Sequence, residues 1–160
     1  MIIDALIPPQ RVRLDAECTS KKRLLESISQ LIIEPDAPSQ LDSTRVFETL
    51  IAREKLGSTA IGRGIAIPHG RVEGLSRPRG AFVRLKQGVD FDALDHQPVD
   101  LVFALLVPEG ADSEHLNTLA QLARLLSQPS LCASLREAPT PEAVLALLAV
   151  NVAAVGSVTA

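Results

Sequence analysis

Apolar residues recur at two different periods along the chain, and the switches between them mark out helices and strands. Leu24, Leu25, Ile28, Leu31 and Ile32 fall on one helix face behind Ser20, a residue suited to an N-cap. The pattern stops before Pro35, and Glu34 to Gln40 reads as a loop. Val46, Phe47, Leu50 and Ile51 predict a second helix over about 43–56, with Gly57 as its stop. From Gly57 to Gly70 the texture changes to a glycine-rich stretch with a short β-branched run ending in Pro68-His69-Gly70. Ala81 to Lys86 alternates apolar and basic residues, as a half-buried strand does. Val89 to Val99 reads as irregular strand and turn, and the unbroken apolar run Leu101 to Val107 suits a central strand. After Pro108-Glu109-Gly110, Ser113 is placed to cap a helix over about 114–127. Pro129-Ser130 starts another to about Ala138, and Thr140-Pro141-Glu142 starts a last one over about 141–152. The tail from Val152 is expected to fray. Helices, then strands, then helices predict one α/β or α+β domain, of which we take α/β, with helices packed on both faces of a mixed sheet.

Composition narrows the function classes. The 160 residues are 46% apolar and 22% charged, ordinary for a globular domain and too apolar for disorder. Four Phe with no Tyr or Trp leave no stacking platform for bases or sugar rings, and a net charge of −3 gives no global basic footprint. Nucleic acid is therefore not an expected partner. Cys18 and Cys132 are too few for a disulfide framework or a four-ligand zinc site. Met1-Ile2-Ile3-Asp4 has neither the basic start nor the cleavage site of a signal peptide, so the cytoplasm is the default expectation. The last predicted helix, roughly a dozen residues, falls short of the about 20 that span a bilayer. Its apolar character leaves core packing or a homodimer contact open.

Charge is unevenly distributed. Residues 53–86 hold eight Lys or Arg against two acids, whereas residues 87–160 hold two against nine. Two accounts fit: solvated faces that segregate by chance, or a local positive field built for an anionic group or acidic partner.

Of the three histidines, His69 has the most suggestive neighbours. Pro68 fixes its approach, Gly70 leaves space over the ring, and the nearby glycines allow backbone amides to come close to an anion. An idle turn histidine is the plainer alternative. His115 falls in the first turn of the helix behind Ser113, in phase with Leu119, Leu122 and Leu126, which suits either an anion at a helix N-terminus or a packed core histidine. Arg53 shares the phase of Val46 and Leu50 and is either a phosphate ligand or a snorkelling helix-end cation. His96, among Asp92, Asp95 and Gln97, reads as exposed and idle. No Gly-Lys-Ser/Thr phosphate loop is present and no metal-ligand spacing occurs, so neither a metal nor another cofactor is expected. Two histidines and an arginine around a glycine-rich turn suggest phosphoryl chemistry on histidine.

Arg53-Glu54-Lys55-Leu56-Gly57-Ser58-Thr59 and Gly62-Arg63-Gly64-Ile65-Ala66-Ile67-Pro68-His69-Gly70 resemble the active-site signature of IIA components of the bacterial phosphotransferase system, mannitol/fructose class. Phe91 to Asp95, Pro98 to Leu101 and Leu105 to Pro108 look most like the nitrogen-regulatory branch. The resemblance runs from about residue 12 to 150. It implies a mixed, about five-stranded sheet, a type-2 IIA domain over 1–152 and a flexible tail over 153–160. It also implies that His69 accepts a phosphoryl group from the phosphohistidine of an HPr-like carrier, as a stoichiometric carrier rather than a multi-turnover catalyst. His115 and Arg53 would line the site, and backbone around Ser58, Thr59, Gly64, Ile65, Ala66 and Ile67 would cradle the phosphate.

Arg63 departs from the pattern, because relatives often carry Asn there and mannitol-type proteins carry Glu. Facing the pocket, it would hold phosphate; facing out, it would join Arg71 on a docking surface. The expected role is phosphorylation-dependent control of regulatory targets such as kinases or transport regulators, with the added charge set in a ring of Arg53, Arg63 and Arg71. Two alternatives accompany it: a separate-chain sugar IIA that passes phosphate to a IIB, and a binding module that is never phosphorylated.

Overall fold

Two long strands form the centre of the molecule in a computed structural model that describes residues 2–110 and 113–158. β5 (Arg79–Val89) and β6 (Val99–Pro108) pair antiparallel, with Phe82 opposite Phe103 and Val83 opposite Val102. β6 lies between strands on both sides and helices on both faces, which is why Leu101 to Val107 is buried throughout. β1 (Val12–Ala16) runs parallel to the outer edge of β5. Beyond β6, β3 (Ile65–Ala66) and β4 (His69–Val72) pair parallel with it as two pieces of one line. Ile67-Pro68 interrupts that line, yet the Pro68 carbonyl still accepts from Leu105 N at 2.9 Å. β2 (Ala60–Gly62) is antiparallel to β3 and closes that edge. The result is the expected α/β domain with a mixed sheet, five strand lines wide because β3 and β4 share one.

The strand period of two sorts the core into two layers. Val102, Ala104 and Leu106 pack under α2 (Lys21–Leu31) and α3 (Ser43–Lys55). Leu101, Phe103, Leu105 and Val107 face the opposite layer, formed by α1 (Ile3–Leu6), α4 (Ser113–Leu126), α5 (Pro129–Glu137) and α6 (Pro141–Val158). The Ser20 hydroxyl caps α2 by accepting from Arg23 N at 3.1 Å. The cap of α3 is Asp42, whose carboxylate accepts from Arg45 N at 2.8 Å.

Three features differ from the sequence reading. α1, a 3₁₀ turn over Pro9–Arg11 and β1 precede the first expected helix. They are short, and the β1 register shifts between Arg13 and Ala16, with Asp15 at φ +55°, which breaks any alternating pattern. β5 exposes Lys86 and Gln87, but from Gly80 to Leu85 it is buried on both faces rather than half-buried, because Arg84 turns its charge to the end of α5. It donates to the carbonyls of Leu135 (3.0 Å) and Ala138 (2.7 Å) and pairs with Asp15 at 3.2 Å. Finally, α6 continues past Val152 to Val158, since the Ala- and Val-rich segment after Pro141 contains no further proline to stop it. Among the described residues no helix is long and apolar enough to cross a membrane.

Candidate functional site

His69 opens β4 opposite Leu105, and Arg71 follows two residues on, opposite Val107. Paired and alternate positions share a face, so both side chains project beside Leu105 and Val107 toward α4. Among the described residues no strand lies on the outer side of β4, and α3 packs against it there. The closeness is sharp at Gly70, where a Cβ would lie 2.5 Å from Thr49 Cγ2. A cavity of about 410 Å³ opens between these elements, lined by Thr49, Arg53, Leu56, His69, Arg71 and Leu119 among others.

The His69 ring is half-buried, and its Nδ1 lies 2.8 Å from the Ile67 carbonyl. A carbonyl only accepts, so Nδ1 carries the proton and the lone pair of the neutral ring sits on Nε2. Burial is the main cause holding the imidazole below its ordinary pKa of 6.5; the Ile67 bond opposes it, Arg53 adds to it and Glu54 opposes it. The ring is therefore neutral and nucleophilic at physiological pH. Arg53, in the last turn of α3, donates to the Gly57 carbonyl at 2.9 Å, which anchors the guanidinium at the cavity wall.

The other predicted site residues fall in different places. His115 belongs to the first turn of α4, one turn before Leu119, which lines the cavity, but its side chain lies outside the described residues. The expected cradle is engaged elsewhere. Thr59 N donates to the Glu54 carboxylate and Ile67 N to the Thr59 carbonyl. Ile65 and Ala66 pair with β2 and β6, and the Gly64 carbonyl accepts from Asp100 N and Leu101 N. The Ser58 hydroxyl donates to the Phe91 carbonyl at 2.7 Å. This segment aims His69 and does not line its cavity. The ring of three arginines is corrected as well. Arg53 and Arg71 line the His69 cavity, whereas Arg63 is exposed at the β2–β3 turn and lines two separate cavities with Arg136. That turn lies four β6 residues away from His69, or roughly 13 Å along the strand. His96 is exposed, as expected. No group of three or more His, Cys, Asp or Glu side chains able to hold a metal occurs among the described residues.

The family model for the phosphoenolpyruvate-dependent sugar phosphotransferase system, EIIA 2, matches residues 5–150. The chain belongs to that family. Within it, this EIIA 2 chain is 47% identical over 142 residues to a nitrogen regulatory protein of Pseudomonas aeruginosa, covering 89% of this chain and 91% of that one. It is 44% identical to the nitrogen regulatory protein of Escherichia coli K12, covering 88% and 85%. Among solved structures, nitrogen regulatory protein IIA-Ntr from Neisseria meningitidis superposes with a TM-score of 0.85 at 47% identity, covering 91% of this chain and 98% of that one. The mannitol IIA of Escherichia coli shares the fold, with a TM-score of 0.73 at 23% identity and coverage of 89% and 99%.

Sequence reasoning assigned no role to Glu54, yet it ties together segments that flank the site. Its carboxylate, with 2% of the side chain exposed, pairs with Lys21 Nζ at 2.7 Å. It also accepts from Thr59 N at 3.0 Å and from the Thr59 hydroxyl. One buried acid thus ties the end of α3, where Arg53 sits, to the start of α2 and to the strand that leads to His69. Its position beside Arg53, out of phase with solvent-facing neighbours on α3, was the available signal.

Proposed function

We propose that His69 accepts a phosphoryl group on Nε2 from the phosphohistidine of an HPr-like carrier, and that the phosphorylation state controls regulatory partners in the cytoplasm. The observation that supports this most is the ring's orientation: Nδ1–H is held by the Ile67 carbonyl, so the lone pair lies on Nε2, in a cavity shared with two guanidiniums. In the transfer, the Nε2 lone pair forms the new N–P bond while the donor's N–P bond breaks. The donor imidazole, protonated on its other nitrogen, leaves neutral. The His69 ring gains positive charge, which the Ile67 carbonyl stabilises through Nδ1–H, and the phosphoryl oxygens meet Arg53 and Arg71. His115 is proposed as a further ligand at the α4 N-terminus. Leu56, 84% exposed beside the cavity, gives an apolar contact for the donor protein. The added charge, about −2 at neutral pH, alters the local field without refolding the chain.

The test is intact mass after incubation with phosphoenolpyruvate, the first enzyme of the system and a charged HPr-like carrier. One acid-labile phosphoryl group is expected on the wild type and none on His69→Ala. Removing either guanidinium (Arg53→Ala or Arg71→Ala) should slow transfer by about 10²-fold, the usual effect of losing one oriented charge donor. An unphosphorylated wild type beside a demonstrably charged carrier would overturn the reading. The nitrogen-regulatory relatives favour control of target proteins over sugar uptake. Phosphoryl transfer from His69 to a sugar-specific IIB, with partner affinity the same in both states, would reverse that choice.

A further inference from the structure

Away from the His69 cavity, at the start of β5 where α1 and the loop after α2 meet, three guanidiniums converge without a matching set of acids among the described residues. Arg11 follows α1, Arg79 opens β5 opposite Leu106, and Arg77 stands in the loop before it. Together with Asp36 and Ser76 they line a cavity of about 180 Å³. Arg11 is 5% exposed, and its three hydrogen bonds all run to carbonyls: Gly80 (2.8 Å), Glu34 (3.0 Å) and Leu6 (3.2 Å). Arg79 likewise donates to the carbonyls of Ile32 and Pro35. Among the described residues none of the three forms an ion pair.

Capping the C-terminus of α2 explains part of this arrangement, since Ile32 and Pro35 lie at and just past that end. A helix end carries only about half a negative charge, so capping accounts for the hydrogen bonds but not for the charge. Three guanidiniums against one carboxylate and one helix end leave about +1.5. The uncompensated charge is felt within the cluster. Burial first, then Arg79 and Arg77, pull the Arg11 guanidinium down to about 10. Arg79 is lowered by burial and by Arg77, with Asp36 opposing. A guanidinium offers five N–H donors, of which Arg11 uses three and Arg79 two, so donors remain for a ligand.

We infer that this cavity is a second anion site, which takes a small soluble phosphate dianion, either inorganic phosphate or a phosphomonoester. The residual charge matches a dianion, and planar guanidinium forks suit phosphate oxygens. The recess between three segments favours a free small ligand over a flat lipid surface. The site is independent of the His69 chemistry. Arg79 lies opposite Leu106, which neighbours Leu105, the partner of His69, but on the alternate face of β6.

Calorimetric titration with inorganic phosphate and with glycerol 2-phosphate, at fixed ionic strength, tests the inference. Arg77 is exposed and can be replaced without touching the α2 cap. Binding tighter than about 1 mM is expected for the wild type, retained in Arg53→Ala and weakened about tenfold or more in Arg77→Ala. Amide shifts should centre on Arg11, Asp36 and Ser76 to Arg79. Loss of binding in Arg53→Ala with retention in Arg77→Ala would assign the anion to the His69 cavity and overturn the inference. So would the absence of saturable binding, or binding to phosphatidate vesicles without binding to soluble phosphate.

Discussion

Gly70→Ala should change the sign of its effect according to the residue at position 49. Gly70 has no left-handed φ, so an alanine backbone is tolerated there. The obstacle is one methyl: the new Cβ would lie 2.5 Å from Thr49 Cγ2, with its next contacts at 3.7 and 3.9 Å. Forcing a methylene into such a gap costs about 1–3 kcal/mol. Restricting the unfolded chain by Gly→Ala offsets this by about 0.4–1 kcal/mol. In the wild type the substitution should therefore destabilise, by about 1.3 kcal/mol at the middle of those two ranges. Thr49→Ser deletes Cγ2 and keeps Oγ1, which donates to the Arg45 carbonyl at 2.9 Å. In that background the clash is gone and Gly70→Ala should stabilise by about 0.4–1 kcal/mol. A double-mutant cycle by urea unfolding, read as midpoint shifts at constant m-value, measures the coupling. A neutral or stabilising Gly70→Ala in the wild type would refute the argument, as would the same loss in both backgrounds. The outcome bears on function because this contact sets the spacing between Arg53 on α3 and His69 on β4.

Three further outcomes follow from the same geometry. Glu54→Gln strands Lys21, whose side chain keeps 18% exposure and a second pairing with Asp92, so the loss should be about 2–3 kcal/mol, below the range for a fully buried pair; adding Lys21→Met should recover more than half in urea unfolding. Arg63 and Gly64 form the two-residue β2–β3 loop with φ +58° and +83°, the signs of a type I′ turn, so Arg63→Asn should stabilise by about 0.5–1 kcal/mol; equal or lower stability would count against it. For His69, long-range ¹H–¹⁵N NMR should find the Nδ1–H tautomer and a pKa below 6.5, and an Nε2–H ring would contradict the proposed nucleophile. Between that lowered pKa and 6.5 the unfolded chain binds more protons at this position than the folded chain. Acidification through the window thus costs stability, and His69→Gln should flatten that slope.

The parts of the fold that the sequence made legible are those where one physical preference acts alone. β6 is apolar throughout because it is enclosed on every side, and α2 carries a cap and a one-sided stripe that no tertiary contact overrides. β1 was hidden because five residues with a left-handed Asp15 have no readable period. Arg84 misled in the opposite direction. A charged residue in an alternating run signals a solvated face, but here the end of α5 supplies two carbonyls and Asp15 supplies a counter-charge. Only the third dimension brings those partners together.

The site residues were legible to unequal degrees for the same physical cause. His69 was legible because its constraints are local: Pro68 before it, Gly70 after it, and a carbonyl two residues back that fixes the ring. Charge density along the sequence was a poor guide to charge density in space. Arg53, Arg63, Arg71, Arg77 and Arg79 fall within one basic segment, and the expected ring around the phosphoryl group takes in the first three. The segment is instead cut by two turns. The β2–β3 turn carries Arg63 toward Asp100 and Arg136, and the loop after β4 carries Arg77 and Arg79 to the start of β5 beside Arg11. Only Arg53 and Arg71 stay with His69. One basic segment therefore becomes three separate positive surfaces. On the proposed reading, a phosphoryl group on His69 would meet two guanidiniums rather than the expected three, which would leave it held but transferable.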